Sequence, residues 1–415
     1  METSWATNLD FIRNKGAWTD EDGRKGQLDD VPNILQVPLE ISTITEAISK
    51  ARSYDVIAIS PGTYTESLVL HKSINIRLEI PPFLPIEAVR TVTIIGGNGG
   101  PALRICPEAG DESASIIVCC FDLCFKSDGA SLLDHAIEVD ACKLQLESCE
   151  VSGGTQALFA YNRAVVEARS SSFSKAARAG ISLSSGAQAL LQSCVISDNA
   201  EEGLVLCGWM ADHMPGGTAA TLETSSVQHN ASFGLHVIGG AKLDVRGCDI
   251  RFNEQSGVHI AHSQSSCNID KCRISDNGWY GVFVQKIRGE VPAEVTISQS
   301  LLRRNIRGSV RFHPGCHVHV ATSWGVYDSA SLSADALNAA GNHGGELDAE
   351  GDDSPVGDWL GQLGLGKLAR LFKAVHIRQL RDARSLSLTD LQSMGIDDLY
   401  VRRLLVLRLA SPSVE

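Results

Sequence analysis

Short runs of alternating apolar and polar residues recur along the middle of the chain at nearly constant spacing. Ala136, Ala157, Gly180, Gly203, Gly234, Gly257 and Gly281 each open such a run, and their separations are 21, 23, 23, 31, 23 and 24 residues. The long interval contains residues 209–217, where Pro215, Gly216 and Gly217 mark an inserted loop. A second alternating stretch follows each run. Its leading apolar pairs are Leu144/Leu146, Val166/Ala168, Ala189/Leu191, Ala220/Leu222, Leu243/Val245, Cys267/Ile269 and Val295/Ile297. A small residue comes next (Cys149, Ser171, Cys194, Ser225, Cys248, Cys272, Ser300), then a large apolar one (Val151, Phe173, Ile196, Val227, Ile250, Ile274, Leu302). Five successive units then present Asn199, Asn230, Asn253, Asn277 and Asn305.

A period of two means strands with one buried face. Units of about 23 residues leave no room for a crossover helix, so the units stack as coils of a solenoid with equivalent side chains about 4.8 Å apart. The asparagines fit a turn ladder, because Asn tolerates left-handed backbone and its amide can bond the Asn of the next coil. Thr43 and Glu46 read as a capping box opening a short helix with Ile44, Ala47, Ile48 and Ala51 on one face, a plug for the first coil.

The pattern ends near residue 330. Residues 330–353 are rich in Ala, Gly, Ser and acids and read as a flexible linker. Helices follow. Ser354-Pro355 supplies an N-cap and a first-turn proline, and Leu368, Leu371, Phe372 and Val375 form a buried stripe. Thr389 with Gln392 opens another helix that Gly395 ends, and Val401, Leu404, Leu405 and Leu409 belong to a last one.

Two resemblances follow from these residues. Residues 55–66, with Pro61-Gly-Thr-Tyr-Thr-Glu66, and residues 68–76 are similar to the opening coils of the pectin-lyase-like β-helix superfamily, and the likeness runs from about Ile34 to Val326. The intracellular β-helix F-box proteins are similar in repeat style, although residues 1–33 carry no F-box-like helical segment. Trp359 to Leu365, then Leu388 to Leu391, Met394 to Ile396 and Arg402 to Leu405, resemble a SAM (sterile alpha motif) domain in order and spacing. Tyr400 and Val401 depart from that family, which usually begins its last helix with Gly and His. The resemblances imply a mainly β chain: a right-handed parallel β-helix with an N-terminal capping helix, plus a small all-α, five-helix SAM-like domain. The expected divisions are an extension over 1–33, the β-helix over 34–329, the linker over 330–353 and the SAM-like domain over 354–410.

Charge sharpens the picture. The net charge of −13 discourages non-specific binding to nucleic acid or anionic membrane. Residues 354–410, however, hold nine Lys or Arg against five Asp, which leaves the remainder at −17. The SAM resemblance implies pairing with itself or with other SAM domains, through a basic face at Arg402 and Arg403 and an acidic one at Asp382 and Asp390. No apolar run nears the roughly 18 residues of a membrane span. Residues 1–5 have neither basic nor apolar leader character, so the twelve cysteines are expected as reduced thiols in a cytoplasmic or nuclear setting.

Chemistry is harder to place. One outward column reads Glu147, Arg169, Gln192, Glu223, Arg246, Asp270 and Ser298, where arginines between the acids imply ion pairing; Asp249 beside Arg273 reads the same way. The signatures that the superfamily's polygalacturonases, pectate lyases and methylesterases would imply are missing. Cysteines at inward positions read as small hydrophobes, His313, Cys316, His317 and His319 make only a weak zinc pattern, and no cofactor or metal is expected. The unusual surface is aromatic. The outward middle position of the Gly-led run reads Ser182, Val205, His236, His259 and Phe283, with Phe233, Trp279 and Tyr280 beside it and His262 and Gln285 beyond. Exposed rings with His and amides suit a peptide or glycan ligand, unless the loop containing Trp209 or the SAM region covers them. The expected function is therefore a non-catalytic adaptor or scaffold: the β-helix presents a protein- or glycan-binding surface and the SAM domain associates with itself or a partner. A carbohydrate-active enzyme (polyuronide lyase or hydrolase) is the alternative, and RNA binding through the SAM domain the second.

Overall fold

The computed structural model describes residues 32–79, 91–97, 99–108, 116–127, 134–208, 217–261, 264–286, 293–314, 316–321 and 355–362, with Phe372, Ala383, Leu391 and Leu405. Among them the chain winds as a parallel β-solenoid of three sheets. Sheet 1 has twelve strands, from Ile34–Val37 to His317–Ala321. Sheets 2 and 3 have ten each, from Gly62–Thr65 to Leu301–Arg303 and from Leu68–Leu70 to Gly308–Phe312. The second stretch of each repeat is two strands rather than one. A single residue of left-handed conformation bends the chain from sheet 1 into sheet 2 just before each small residue: Ser148, Ser170, Ser193, Thr224, Gly247, Lys271 and Gln299.

The repeat columns superimpose. Val151, Phe173, Ile196, Val227, Ile250, Ile274 and Leu302 pair in register along sheet 2, and all seven are fully buried. Leu146, Ala168, Leu191, Leu222, Val245, Ile269 and Ile297 do the same along sheet 1. The small column lies at the corner between these sheets, where it serves the neighbouring coil. Cys149, Cys194 and Cys272 donate their backbone N–H to the hydroxyls of Ser171, Ser225 and Ser300 at 3.1, 3.0 and 3.0 Å. Burial pushes the Cys194 thiol up to about 11 and that of Cys149 to about 12, so these sulfurs stay protonated and pack as apolar atoms.

The asparagines form the ladder, although for a different reason than backbone tolerance. The left-handed residue is the one before each of them: Asp198, His229, Phe252, Asp276 and Arg304. From Asn199 to Asn277 each Asn instead spends its whole amide. Asn230 donates Nδ2–H to Asn253 Oδ1 at 2.9 Å and to the Ile196 carbonyl at 3.4 Å, and its own oxygen accepts from Nδ2 of Asn199 at 2.8 Å. The Gly that opens each run follows from this. A Cβ on Gly234 would sit 2.8 Å from Asn253 Nδ2 and 2.6 Å from the Gly257 carbonyl, and Gly180, Gly203, Gly257 and Gly281 face the same clash with the Asn of the next coil. Ala136 and Ala157 are allowed because Gly154 and Ala176 occupy the Asn position on the next coil.

Between the first two strands of sheet 1 the chain makes helix α1, Ile44–Lys50, in place of strands for sheets 2 and 3. Thr43 Oγ1 accepts from Glu46 N at 3.1 Å, but the Glu46 carboxylate turns to Ser42 and Lys50 instead of completing the box. Glu66 takes over, accepting from Ile44 N and Thr45 N at 3.1 and 2.8 Å. The Pro61–Glu66 motif thus secures a helix N-terminus. In the C-terminal region, helix α2 spans Pro355–Gln362 with Val356, Trp359 and Leu360 buried. Phe372, Ala383, Leu391 and Leu405 are helical and buried as well. No helix among the described residues is long and apolar enough to cross a membrane.

Candidate functional site on the outer face of sheet 3

Sheet 3 turns one column inward on every coil and leaves the next outward. The outward column pairs Glu138, Phe159, Ser182, Val205, His236, His259, Phe283 and Arg311 in register. Nothing in the stacking of the core dictates these side chains, so whatever chemistry they share belongs to the surface.

All six residues that the sequence singled out meet there. The His236 and His259 rings stack with centroids 4.9 Å apart and planes within 22°, and His259 stacks on Phe283 at 5.1 Å and 11°. Phe233 touches both histidines, at 5.0 and 4.3 Å, and meets Trp279 edge-on at 6.3 Å. Tyr280 closes on Phe283 at 5.6 Å. The rings are less exposed than expected: His259 is 6% accessible and the others are half-buried. The coil spacing of about 4.8 Å is close to a ring-stacking distance, so each ring is covered by its neighbour.

Several partners escaped the sequence. Glu202 Oε1 stands 3.5 Å from His236 Nδ1. Burial alone would raise Glu202, but the hydrogen bond and charge of His236 outweigh it and hold the carboxyl below its ordinary value. Glu202 precedes Gly203 as Phe233 precedes Gly234 and Tyr280 precedes Gly281, so reading the column before each glycine would have found it. His259 Nε2 lies 3.2 Å from Gln285 Oε1. The guanidinium of Arg307 sits 4.4 Å over the Trp279 ring, and His313 contacts Phe283 edge-on at 5.7 Å. His313 therefore joins this cluster, while His317 and His319 are exposed on the last strand of sheet 1. Among the described residues no group of three or more His, Cys, Asp or Glu is placed to hold a metal ion. His262, the loop with Trp209, and Arg402, Arg403, Asp382 and Asp390 of the SAM region lie outside the described residues.

The ion pairing expected across the acidic column forms only in pieces. Arg169 donates to Gln192 at 3.0 Å, Gln192 passes a hydrogen bond to Glu223 at 2.8 Å, and Arg246 stays 3.9 Å from Glu223. Glu147 Oε2 is buried without a hydrogen bond. Asp249 pairs with Arg251 at 3.4 Å rather than with Arg273, and Asp249 Oδ1 and Arg273 Nε are both buried and unbonded. Arginine therefore neutralises Glu223 and Asp249, the latter through a different arginine from the one expected.

Comparison with known proteins places the two parts of the chain. Residues 135–323 match the family model for the right-handed β-helix region, and residues 352–408 that for the SAM domain (sterile alpha motif). The chain joins a right-handed parallel β-helix to a SAM domain. Among curated proteins no relative matches it. Similar solved structures include the A-module of the Azotobacter vinelandii mannuronan C-5 epimerase AlgE6, at 12% identity and a TM-score of 0.44, covering 68% of this chain and 88% of that one. The periplasmic alginate epimerase AlgG is similar at 9% and 0.45, covering 71% and 86%. The alginate lyase from Paenibacillus sp. str. FPU-7 is similar at 13% and 0.42, covering 72% and 99%. The expectation of a non-catalytic adaptor is corrected here: the similar β-helix structures carry the names of carbohydrate-active enzymes, the alternative raised from sequence.

Proposed function

We propose that this protein is a carbohydrate-active enzyme of the polyuronide lyase or hydrolase class, holding a saccharide chain along the outer face of sheet 3. The observation that supports this most is the Glu202–His236 contact inside a row of stacked rings. A carboxylate 3.5 Å from Nδ1 orients the imidazole, leaving Nε2 to exchange a proton with substrate. Gln285 Oε1 engages Nε2 of His259 and fixes that ring beside His236. Phe233 and Phe283 are half-buried, and the parts of their rings left open offer apolar contact to the C–H side of a pyranose. Arg311, one coil beyond Phe283, and Arg307 bring positive charge to the end of the row where a uronate carboxylate would need it. A coil step is close to the length of one sugar residue, so a polymer lying along the axis meets equivalent positions coil after coil.

The test is turnover by the purified full-length chain on a panel of polyuronides and neutral polysaccharides, with and without calcium. Cleavage that falls at least 100-fold in His236→Asn supports the assignment. Absence of turnover on every substrate, or turnover indifferent to His236→Asn, overturns it.

We also infer that α1 closes the first coil of the solenoid and that the SAM region is a five-helix unit. The buried apolar face of α1 and the buried helical residues Val356, Phe372, Ala383, Leu391 and Leu405 support this.

A further inference from the structure

We propose that Arg104, Glu138, Asp140, Phe159, Tyr161 and Asn162 form a second saccharide-binding site, one that takes an uncharged sugar ring. They lie at the other end of the same outer face. Arg104, Glu138 and Phe159 occupy one register position on three successive coils. Phe159 is three coil steps from His236, about 14 Å at 4.8 Å per step, so none of these residues belongs to the Glu202–His236 cluster.

Both halves of sugar recognition are present. The Phe159 and Tyr161 rings stack 5.0 Å apart with planes within 25°, and His135 flanks Phe159 at 4.9 Å, which groups three half-buried rings whose open parts offer apolar contact beside polar groups. Around it stand planar polar groups of both kinds. Tyr161 donates its hydroxyl to Glu138 Oε1 at 2.9 Å, Arg104 Nε is 3.6 Å from Glu138 Oε2, and Asn162 Nδ2 donates to Asp140 Oδ1 at 2.9 Å. Arg104 and Asn162 are exposed and supply donors, while the half-buried carboxylates supply acceptors. Vicinal hydroxyls, each donor and acceptor at once, match such paired groups. Burial and the bond to Glu138 raise the Tyr161 phenol well above its ordinary value, so it remains a donor throughout the physiological range.

Charge selects the ligand. Two carboxylates face one guanidinium, and that guanidinium is already beside Glu138, whose charge raises it further. A uronate carboxylate would meet net repulsion, whereas a neutral hexose or pentose meets none.

The site stands on residues separate from the proposed catalytic pair, so either can fail alone. Calorimetric titration of the full chain with neutral hexasaccharides of glucose, mannose, xylose and galactose, and with hexamannuronate, provides the test. We expect at least one neutral hexasaccharide to bind. Phe159→Ala should weaken it tenfold or more, Tyr161→Phe (which keeps the ring) only a few-fold, and His236→Asn not at all. Binding of hexamannuronate alone, binding unchanged by Phe159→Ala, or no binding of any neutral sugar overturns the proposal. Turnover lost in His236→Asn with sugar binding intact separates this site from the catalytic one.

Discussion

The corner between sheets 2 and 3 and the outer face of sheet 3 are built on the same coils, only a few residues apart, yet they obey opposite rules. At the corner, Asn199, Asn230, Asn253, Asn277 and Asn305 repeat without variation, and the facing glycines repeat with them. On the face, Ser182, Val205, His236, His259 and Phe283 change from coil to coil. A buried amide has to be satisfied by the coil above and the coil below, so each rung dictates the next. An outward side chain answers to solvent and ligand and is free to differ. Uniformity therefore marks architecture, and departure from the repeat marks function.

The largest effect is expected where the corner is broken. Asn253→Ala removes an oxygen that accepts from Asn230 and an amide that donates to Asn277 and to the Val227 carbonyl. About 3–5 kcal/mol of stability should be lost, read as a lower urea midpoint. Glu202→Gln sharpens the contrast from the other side: turnover should drop at least tenfold while the unfolding free energy from urea titration changes by less than about 1 kcal/mol. Gly234→Ala should cost about 1–3 kcal/mol through overpacking against Asn253, whereas Ala157→Gly, in a coil whose neighbour has Ala176 instead of Asn, should cost only about 0.5–1 kcal/mol. A difference of the opposite order would break the link between glycine and ladder.

The smallest effect is a pH dependence on the face itself. Glu202 is held below its ordinary value when folded, so its contribution to stability is complete above the unfolded carboxylate range and is lost as pH falls through the folded value. The stability gap between wild type and Glu202→Gln should accordingly narrow on acidification from about pH 6 toward pH 3, followed by thermal unfolding.

Much of this architecture was legible because it repeats. Leu146, Val151 and their equivalents recur with period two inside a period near 23, and only stacked coils bury such a pattern. The bend between sheets 1 and 2 was not legible. Ser148, Thr224, Lys271 and Gln299 share a left-handed conformation without sharing a residue type, since their side chains face solvent and the backbone alone makes the turn. His236, His259 and Phe283 were found from their column, and Phe233, Trp279 and Tyr280 beside it, but Glu202 and Arg307 were missed because the signal followed there was aromatic and neither carries a ring. The Arg104–Glu138–Tyr161 group escaped for another reason. Its members come from three coils whose repeats are joined through segments of unequal length, so no fixed spacing links them.

By itself the sequence determined the solenoid and its register, because burial of the apolar columns together with the aligned Asn positions leaves one consistent stacking, and it marked the SAM region by the order and spacing of its motifs. Tertiary structure alone decided which polar groups meet. Asp249 chose Arg251 over Arg273, Glu66 reached back to α1, and Glu202 met His236 across a 34-residue separation. Those outcomes depend on side-chain directions and distances of a few ångströms, and electrostatic and hydrogen-bond energies change over that range while the hydrophobic pattern stays the same.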